Sequence, residues 1–199
     1  MDLPGHGSSL SLTPEAYTVE GAAEAVIDTL DELEVERPVI VGYSMGGRLA
    51  LYLALRYPER CAGLFLESAS PGLESAGERA ARREADEERA KRLESGNFEE
   101  FLEDWHRQPL FASMARDRNL LRRTIELRRR NDPGELERLD VPTLAVAGGL
   151  DGKYAGISSR MASLSPWIES VVAPEAGHTV HAEIPAVYIS LLDRFMDAV

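Results

Sequence analysis

The six residues Gly42-Tyr43-Ser44-Met45-Gly46-Gly47 constrain this chain more than any other stretch. They follow a compact apolar run, Pro38-Val39-Ile40-Val41, and precede Arg48-Leu49-Ala50-Leu51-Tyr52-Leu53-Ala54-Leu55. The first run reads as a buried strand and the second as a helix. A strand that enters a helix through G-x-S-x-G makes a sharp turn, and the serine at its apex stands clear of the backbone. Bulk beside the serine would obstruct so tight a turn, so Gly42 and Gly46 are expected to be there for space. The Met45 N–H falls in the first turn of the helix, where amide groups lack intrahelical partners and the helix dipole favours negative charge. Ser44 is therefore a candidate nucleophile or base, and the Met45 N–H a candidate donor to a developing oxyanion.

A serine hydroxyl reacts only when a neighbour takes its proton, and a histidine held by a carboxylate does this well. Three further apolar runs read as strands: Ala62–Ser68, Val141–Gly149 and Glu169–Ala173. Asp151 lies just past the third strand of the chain, in Leu150-Asp151-Gly152, and His178 lies past the fourth, in Ala176-Gly177-His178. The order Ser44, Asp151, His178 places each candidate on a loop that follows a strand. Asp140 competes with Asp151 but precedes its strand, at the wrong end of a parallel sheet. Among the other histidines, His6 sits in the opening loop and His106 in a charged middle region. His181 is the serious rival to His178, and its place at the entrance to the last helix favours a structural role.

Strands alternating with helices indicate an α/β fold with a parallel sheet. A helix over residues 20–35 is marked by Ala22, Ala23, Val26, Ile27, Leu30 and Leu33 at helical spacing, with Thr18 or Thr13-Pro14 as its start. Further helices are expected near 155–164 and from Pro185 to Ala198. Residues 74–132 change character: charged helices over 76–95, 98–105 and 119–130, closed by Asn131-Asp132-Pro133-Gly134, suggest a helical lid inserted between core segments 1–73 and 133–199.

The formal charge of −12 gives nucleic-acid binding little electrostatic support. Residues 74–132 hold 14 Lys+Arg against 14 Asp+Glu, leaving 8 against 20 elsewhere, so the lid region is a relatively basic island suited to an anionic ligand. Most of those charges fit equally well on solvated helices laced with i,i+4 pairs. The single cysteine, Cys61, excludes an internal disulfide and a cysteine-based metal cluster, and reads as a packed thiol. No apolar run reaches the roughly 18 residues of a membrane span, and the opening residues do not read as a signal peptide. The expectation is a soluble cytoplasmic protein that needs no metal or cofactor.

On these residues the chain resembles the α/β-hydrolase superfamily along its whole length: a three-layer α/β/α fold, mostly parallel sheet, with a helical lid. Within it, the chain is most similar to the 2-succinyl-6-hydroxy-2,4-cyclohexadiene-1-carboxylate synthases of menaquinone biosynthesis. The resemblance rests on Asp2-Leu3-Pro4-Gly5-His6-Gly7, Gly42 to Arg48, Trp105-His106-Arg107-Gln108-Pro109-Leu110-Phe111-Ala112-Ser113, Asp151-Gly152-Lys153-Tyr154 and Ala176-Gly177-His178. The lid stretch W-x-x-Q-P-L-F-A-S is the narrowest of these motifs.

The resemblance implies a lyase that eliminates pyruvate from an enolpyruvyl cyclohexene carboxylate, with Ser44 acting as general base under His178 and Asp151. It implies a small polycarboxylate substrate contacted by Arg48, Arg82 and Arg128 and by the aromatics Tyr43, Trp105 and Phe111. Arginine suits that task because its planar fork pairs bidentately with carboxylates. The alternatives are an ester or C–C-bond hydrolase on the same triad, and an inactive fragment. Against the family pattern the chain is short of the N-terminal strands that precede D-x-P-G-x-G. The expected consequences are four strands contiguous in the sheet, the strand before Ser44 at an apolar edge, low stability and little activity. A misplaced start codon is the expected cause.

Overall fold

The computed structural model describes residues 1–4, 6, 9, 14–95, 104, 136 and 138–199. Among them, β1 (Val39–Tyr43), β2 (Gly63–Glu67), β3 (Thr143–Gly148) and β4 (Ile168–Ala173) form one parallel sheet in chain order. Tyr43 lies opposite Glu67, and Glu67 opposite Val146, so β1 and β2 end level and β3 runs on to Gly148.

The two central strands are buried on both faces, as continuous apolar runs in a parallel sheet require. Their side chains alternate between two apolar cores. Leu64, Leu66 and Ala145 point to one face, where Leu49, Leu51, Leu53 and Met161 join them. Phe65, Leu144 and Val146 point to the other, against Tyr188, Leu192 and Phe195. Full burial of a side chain such as Phe65 or Leu66 stabilises the fold by about 1.5–3 kcal/mol. β1 is an edge strand, and Val41 on it is 47% exposed.

Helices cover both faces. α1 (Val19–Glu32) begins at Thr18, whose Oγ1 accepts the Gly21 N–H at 3.0 Å, while residues Pro14–Tyr17 make a separate short 3₁₀ turn. α2 (Met45–Arg56) ends before Pro58, which cannot continue a helix. α3 (Ala76–Ser95) opens with a reciprocal cap: Ser75 Oγ accepts the Glu78 N–H at 3.1 Å, and Glu78 Oε2 accepts the Ser75 N–H at 3.0 Å. Of the expected lid 74–132, α3 and its surroundings up to Ser95, together with Asp104, are described. The helices expected over 98–105 and 119–130 lie outside the described residues, Asp104 apart.

α4 (Gly152–Leu164) starts three residues earlier than its apolar pattern indicates, because Asp151 caps it. The last helical region is two pieces, α5 (Val180–Glu183) and α6 (Pro185–Met196), divided where Pro185 begins a new helix. None of the described helices is long and apolar enough to cross a membrane.

Candidate active site

Each strand of the sheet delivers a polar residue at its carboxyl end: Ser44 after β1, Glu67 and Ser68 at β2, Asp151 after β3, and His178 after β4. Parallel strands place all of these on one rim of the sheet, which is where open α/β sheets bind ligands.

Ser44 sits between β1 and α2 with φ 50° and ψ −106°, a left-handed conformation that costs an L-residue energy. Its N–H donates to the Glu67 carbonyl at 2.8 Å, and its carbonyl accepts the Arg48 N–H at 3.3 Å. The turn is tight at Gly42, where a Cβ would lie 2.6 Å from both the Gly46 carbonyl oxygen and the Gly47 Cα. It is tight again at Gly47, where a Cβ would lie 2.5 Å from the Ala69 Cβ. Gly46 differs from expectation: among the described residues nothing lies within 4 Å of a Cβ there. The crowding comes from α2 turning back over β1 and meeting the residue after β2, which the G-x-S-x-G pattern does not encode.

Asp151 divides its carboxylate between two tasks. Oδ1 accepts the Tyr154 N–H at 3.3 Å, capping α4, and Oδ2 lies 2.7 Å from His178 Nδ1. With the carboxylate accepting, Nδ1 carries the imidazole proton and Nε2 is left as the acceptor for Ser44 Oγ, 3.3 Å away. His178 is 1% exposed. The loop around it is tied from two sides. Glu183 accepts the Gly177 N–H at 2.9 Å and the Thr179 hydroxyl at 2.8 Å, and Ser68 Oγ donates to the His178 carbonyl at 2.8 Å. Ser68 has φ 47°, a second left-handed non-glycine residue on the same rim.

Two tyrosines grip the His178 ring edge-on. Tyr154 has its ring centroid 4.6 Å away and Tyr43 5.5 Å away. Tyr43 also meets the His181 ring at 5.0 Å. Burial and then the nearby Glu67 carboxylate raise the Tyr43 phenol above its ordinary range, so it is a neutral group here. His181 donates from Nδ1 to both oxygens of Glu67, at 2.9 and 2.8 Å, and that hydrogen bond raises its pKa against the opposing effect of burial.

The structure thus brings together Ser44, Asp151 and His178, with the Met45 N–H beginning α2 beside them. Arg48 is half-buried on the first turn of α2. Arg82 is half-buried on α3, where Nε donates to Asp86 at 2.8 Å. Trp105, Phe111 and Arg128 lie outside the described residues. Sequence reasoning missed Glu67, Ser68, Tyr154 and Glu183. A carboxylate ending an otherwise apolar run, Gly63-Leu64-Phe65-Leu66-Glu67, was the available signal for Glu67. Among the described residues no group of three or more His, Cys, Asp or Glu is arranged to hold a metal.

A family model described as "Alpha/beta hydrolase family" matches residues 1–191. A Bacillus subtilis (strain 168) protein, provisionally named a 2-succinyl-6-hydroxy-2,4-cyclohexadiene-1-carboxylate synthase, is 31% identical over all of this chain and 80% of its own length. The synthase of that name from Escherichia coli O1:K1 / APEC is 29% identical over 98% of this chain and 82% of its own. The solved structure of MenH from S. aureus superposes with a TM-score of 0.88 at 29% identity, covering all of this chain and 82% of that one.

Proposed function

The chain belongs to the alpha/beta hydrolase family, and from that premise we propose that it is a lyase of menaquinone biosynthesis. The reaction eliminates pyruvate from 2-succinyl-5-enolpyruvyl-6-hydroxy-3-cyclohexene-1-carboxylate and leaves 2-succinyl-6-hydroxy-2,4-cyclohexadiene-1-carboxylate. The observation that carries this reading is the continuous hydrogen-bonded line from Asp151 through His178 to Ser44, in a chain that aligns over 98–100% of its own length with proteins so named.

His178 Nε2 takes the Ser44 proton as Oγ removes a proton from the substrate ring, and Asp151 stabilises the imidazolium that results. The C2–H electron pair becomes a C2=C3 double bond while the existing C3=C4 pair moves to C4=C5, expelling the oxygen on C5. The ring C–O bond breaks, and the leaving enolate is protonated at carbon to give pyruvate. No acyl-enzyme forms: the ring proton taken by Oγ restores the Ser44 hydroxyl, and the His178 imidazolium gives its extra proton to the enolate carbon. Negative charge developing on the substrate faces the Met45 N–H at the start of α2. The substrate's carboxylates call for cations, a task for Arg48 on the same helix and for Arg82 and Arg128 in the lid region, with Tyr43, Trp105 and Phe111 as its aromatic surroundings.

The test is pyruvate release from the enolpyruvyl substrate, followed by a coupled lactate dehydrogenase assay, beside a panel of p-nitrophenyl esters. Pyruvate release is expected, with ester turnover negligible. Ser44→Ala is expected to lower kcat by about 10³-fold or more. Ester hydrolysis without pyruvate release, or full activity in S44A, would overturn the proposal.

A further inference from the structure

Between the strands that carry Ser44 and Asp151 stands β2, and its carboxyl end holds a charge that the reaction above does not use. Glu67 is 0% exposed. Placing a carboxylate there is costly unless every lone pair is well used, and an apolar residue would serve packing at lower cost. Glu67 spends its oxygens on one residue: Oε1 accepts the His181 backbone N–H at 3.0 Å, and both oxygens accept from the His181 ring Nδ1.

The His181 ring packs edge-on against Tyr43, and Tyr43 packs edge-on against His178. The same strand end holds the backbone of both reacting partners. The Glu67 carbonyl accepts the Ser44 N–H, and Ser68 Oγ donates to the His178 carbonyl, with Ser68 kept in a left-handed conformation to do so. Two carboxylate–histidine pairs, Asp151–His178 and Glu67–His181, therefore flank one half-buried tyrosine.

We propose that Glu67 is a positioning residue for the reaction at Ser44: it fixes His181, which seats Tyr43 against the His178 ring and holds Nε2 in line with Ser44 Oγ. This rests on the reading of Ser44 as the base. Asp151 sets which nitrogen of His178 carries the proton, and the edge contacts from Tyr43 and Tyr154 bear on the tilt of the ring, with Tyr43 itself packed against the His181 ring. Among the described residues the Glu67 side chain hydrogen-bonds to His181 alone, so its loss is expected to act more on turnover than on binding.

The experiment uses the full chain with Glu67→Gln, His181→Ala, His181→Asn and Ser44→Ala. Nitrogen-edited NMR of the histidine rings reads the Nδ1 proton that His178 gives to Asp151, and it does so whether or not substrate turns over. Pyruvate release gives kcat and KM. E67Q and H181A are expected to shift or broaden the His178 Nδ1–H resonance. They should lower kcat by about 10- to 100-fold while KM stays within about twofold. H181N keeps an N–H donor near the place of Nδ1 and is expected to recover most of what H181A loses. A His178 resonance and kcat unchanged in E67Q and H181A would overturn the proposal, as would activity lost only in proportion to unfolded protein in a parallel melt. S44A separates the two readings: it should abolish turnover yet leave the His178–Asp151 resonance in place. Wild-type turnover in S44A would sink the base assignment, while the ring resonances would still decide the part played by Glu67.

Discussion

Replacing Gly148 by alanine puts a methyl group where the chain has no room. Gly148 ends β3, pairs with Ala173 on β4, and its carbonyl accepts the Asp151 N–H at 3.1 Å. A Cβ there would lie 2.6 Å from the Ala176 carbonyl carbon, with the carbonyl oxygens of Ala176 and Gly177 closer still. All three atoms are backbone, so no side chain can swing aside. Ordinary van der Waals contact begins at 3.4 Å, so the loops after β3 and β4 must part by more than about 1 Å.

Those loops carry Asp151 and His178, and they are joined by Gly149 N–H to Ala173 O at 2.7 Å and Leu150 N–H to Ala176 O at 2.9 Å. A misplacement of about 1 Å at a reacting centre costs about 100-fold in rate, equivalent to about 2.7 kcal/mol in the barrier. Overpacking should also lower stability by about 1–3 kcal/mol, or about 2–12 °C in Tm for a chain of this size. The assays are kcat for pyruvate release and a thermal melt, with Gly156→Ala as the control. Gly156 lies inside α4 with nothing among the described residues within 4 Å of a Cβ, and alanine there should stabilise by about 0.5–1 kcal/mol. A G148A protein with wild-type Tm and kcat would refute the steric reasoning.

Two further outcomes follow from titratable groups whose pKa the fold shifts. Cys61 is 1% exposed, and burial, with Glu59 adding to it, pushes its thiol up to about 11, so an aromatic disulfide reagent at pH 8 should label it only as the protein unfolds. Rapid stoichiometric labelling of folded protein would contradict this. His181 has its pKa raised above the ordinary 6.5 by Glu67, so protonation favours the folded state. Its stabilising contribution is fully present below pH 6.5 and is lost as pH rises through the raised folded-state value. The Tm advantage of wild type over His181→Gln should accordingly be largest near pH 6 and shrink toward pH 9, and a difference that is flat or grows with pH would be inconsistent with the pair.

Four strands, their order along the chain and the Ser44-Asp151-His178 set are legible in the linear sequence for a local reason. A strand buried on both faces must be a short unbroken apolar run, and a loop residue just past it lies at the carboxyl end of a parallel sheet. Helix ends were legible only where the cap stands next to the apolar pattern, as at Thr18 and Pro58. The start of α4 was not, because Asp151 was read only as a partner for His178 while its other oxygen also caps the helix.

The remaining particulars depend on what the fold brings alongside. Gly47 is needed because Ala69, after the next strand, lies against it, and Gly46 is not crowded because it faces away from that contact. Tyr43 became a wall of the histidine pocket through rings that follow β4. Glu67 and His181 are 114 residues apart and meet only because the loop after β4 folds back over the end of β2. The sequence alone determined which candidate residues end each strand, since periodicity and turn residues act within a few positions. Tertiary structure alone decided what holds those residues in line, since those contacts are set by sheet register and loop closure between segments that share no local pattern.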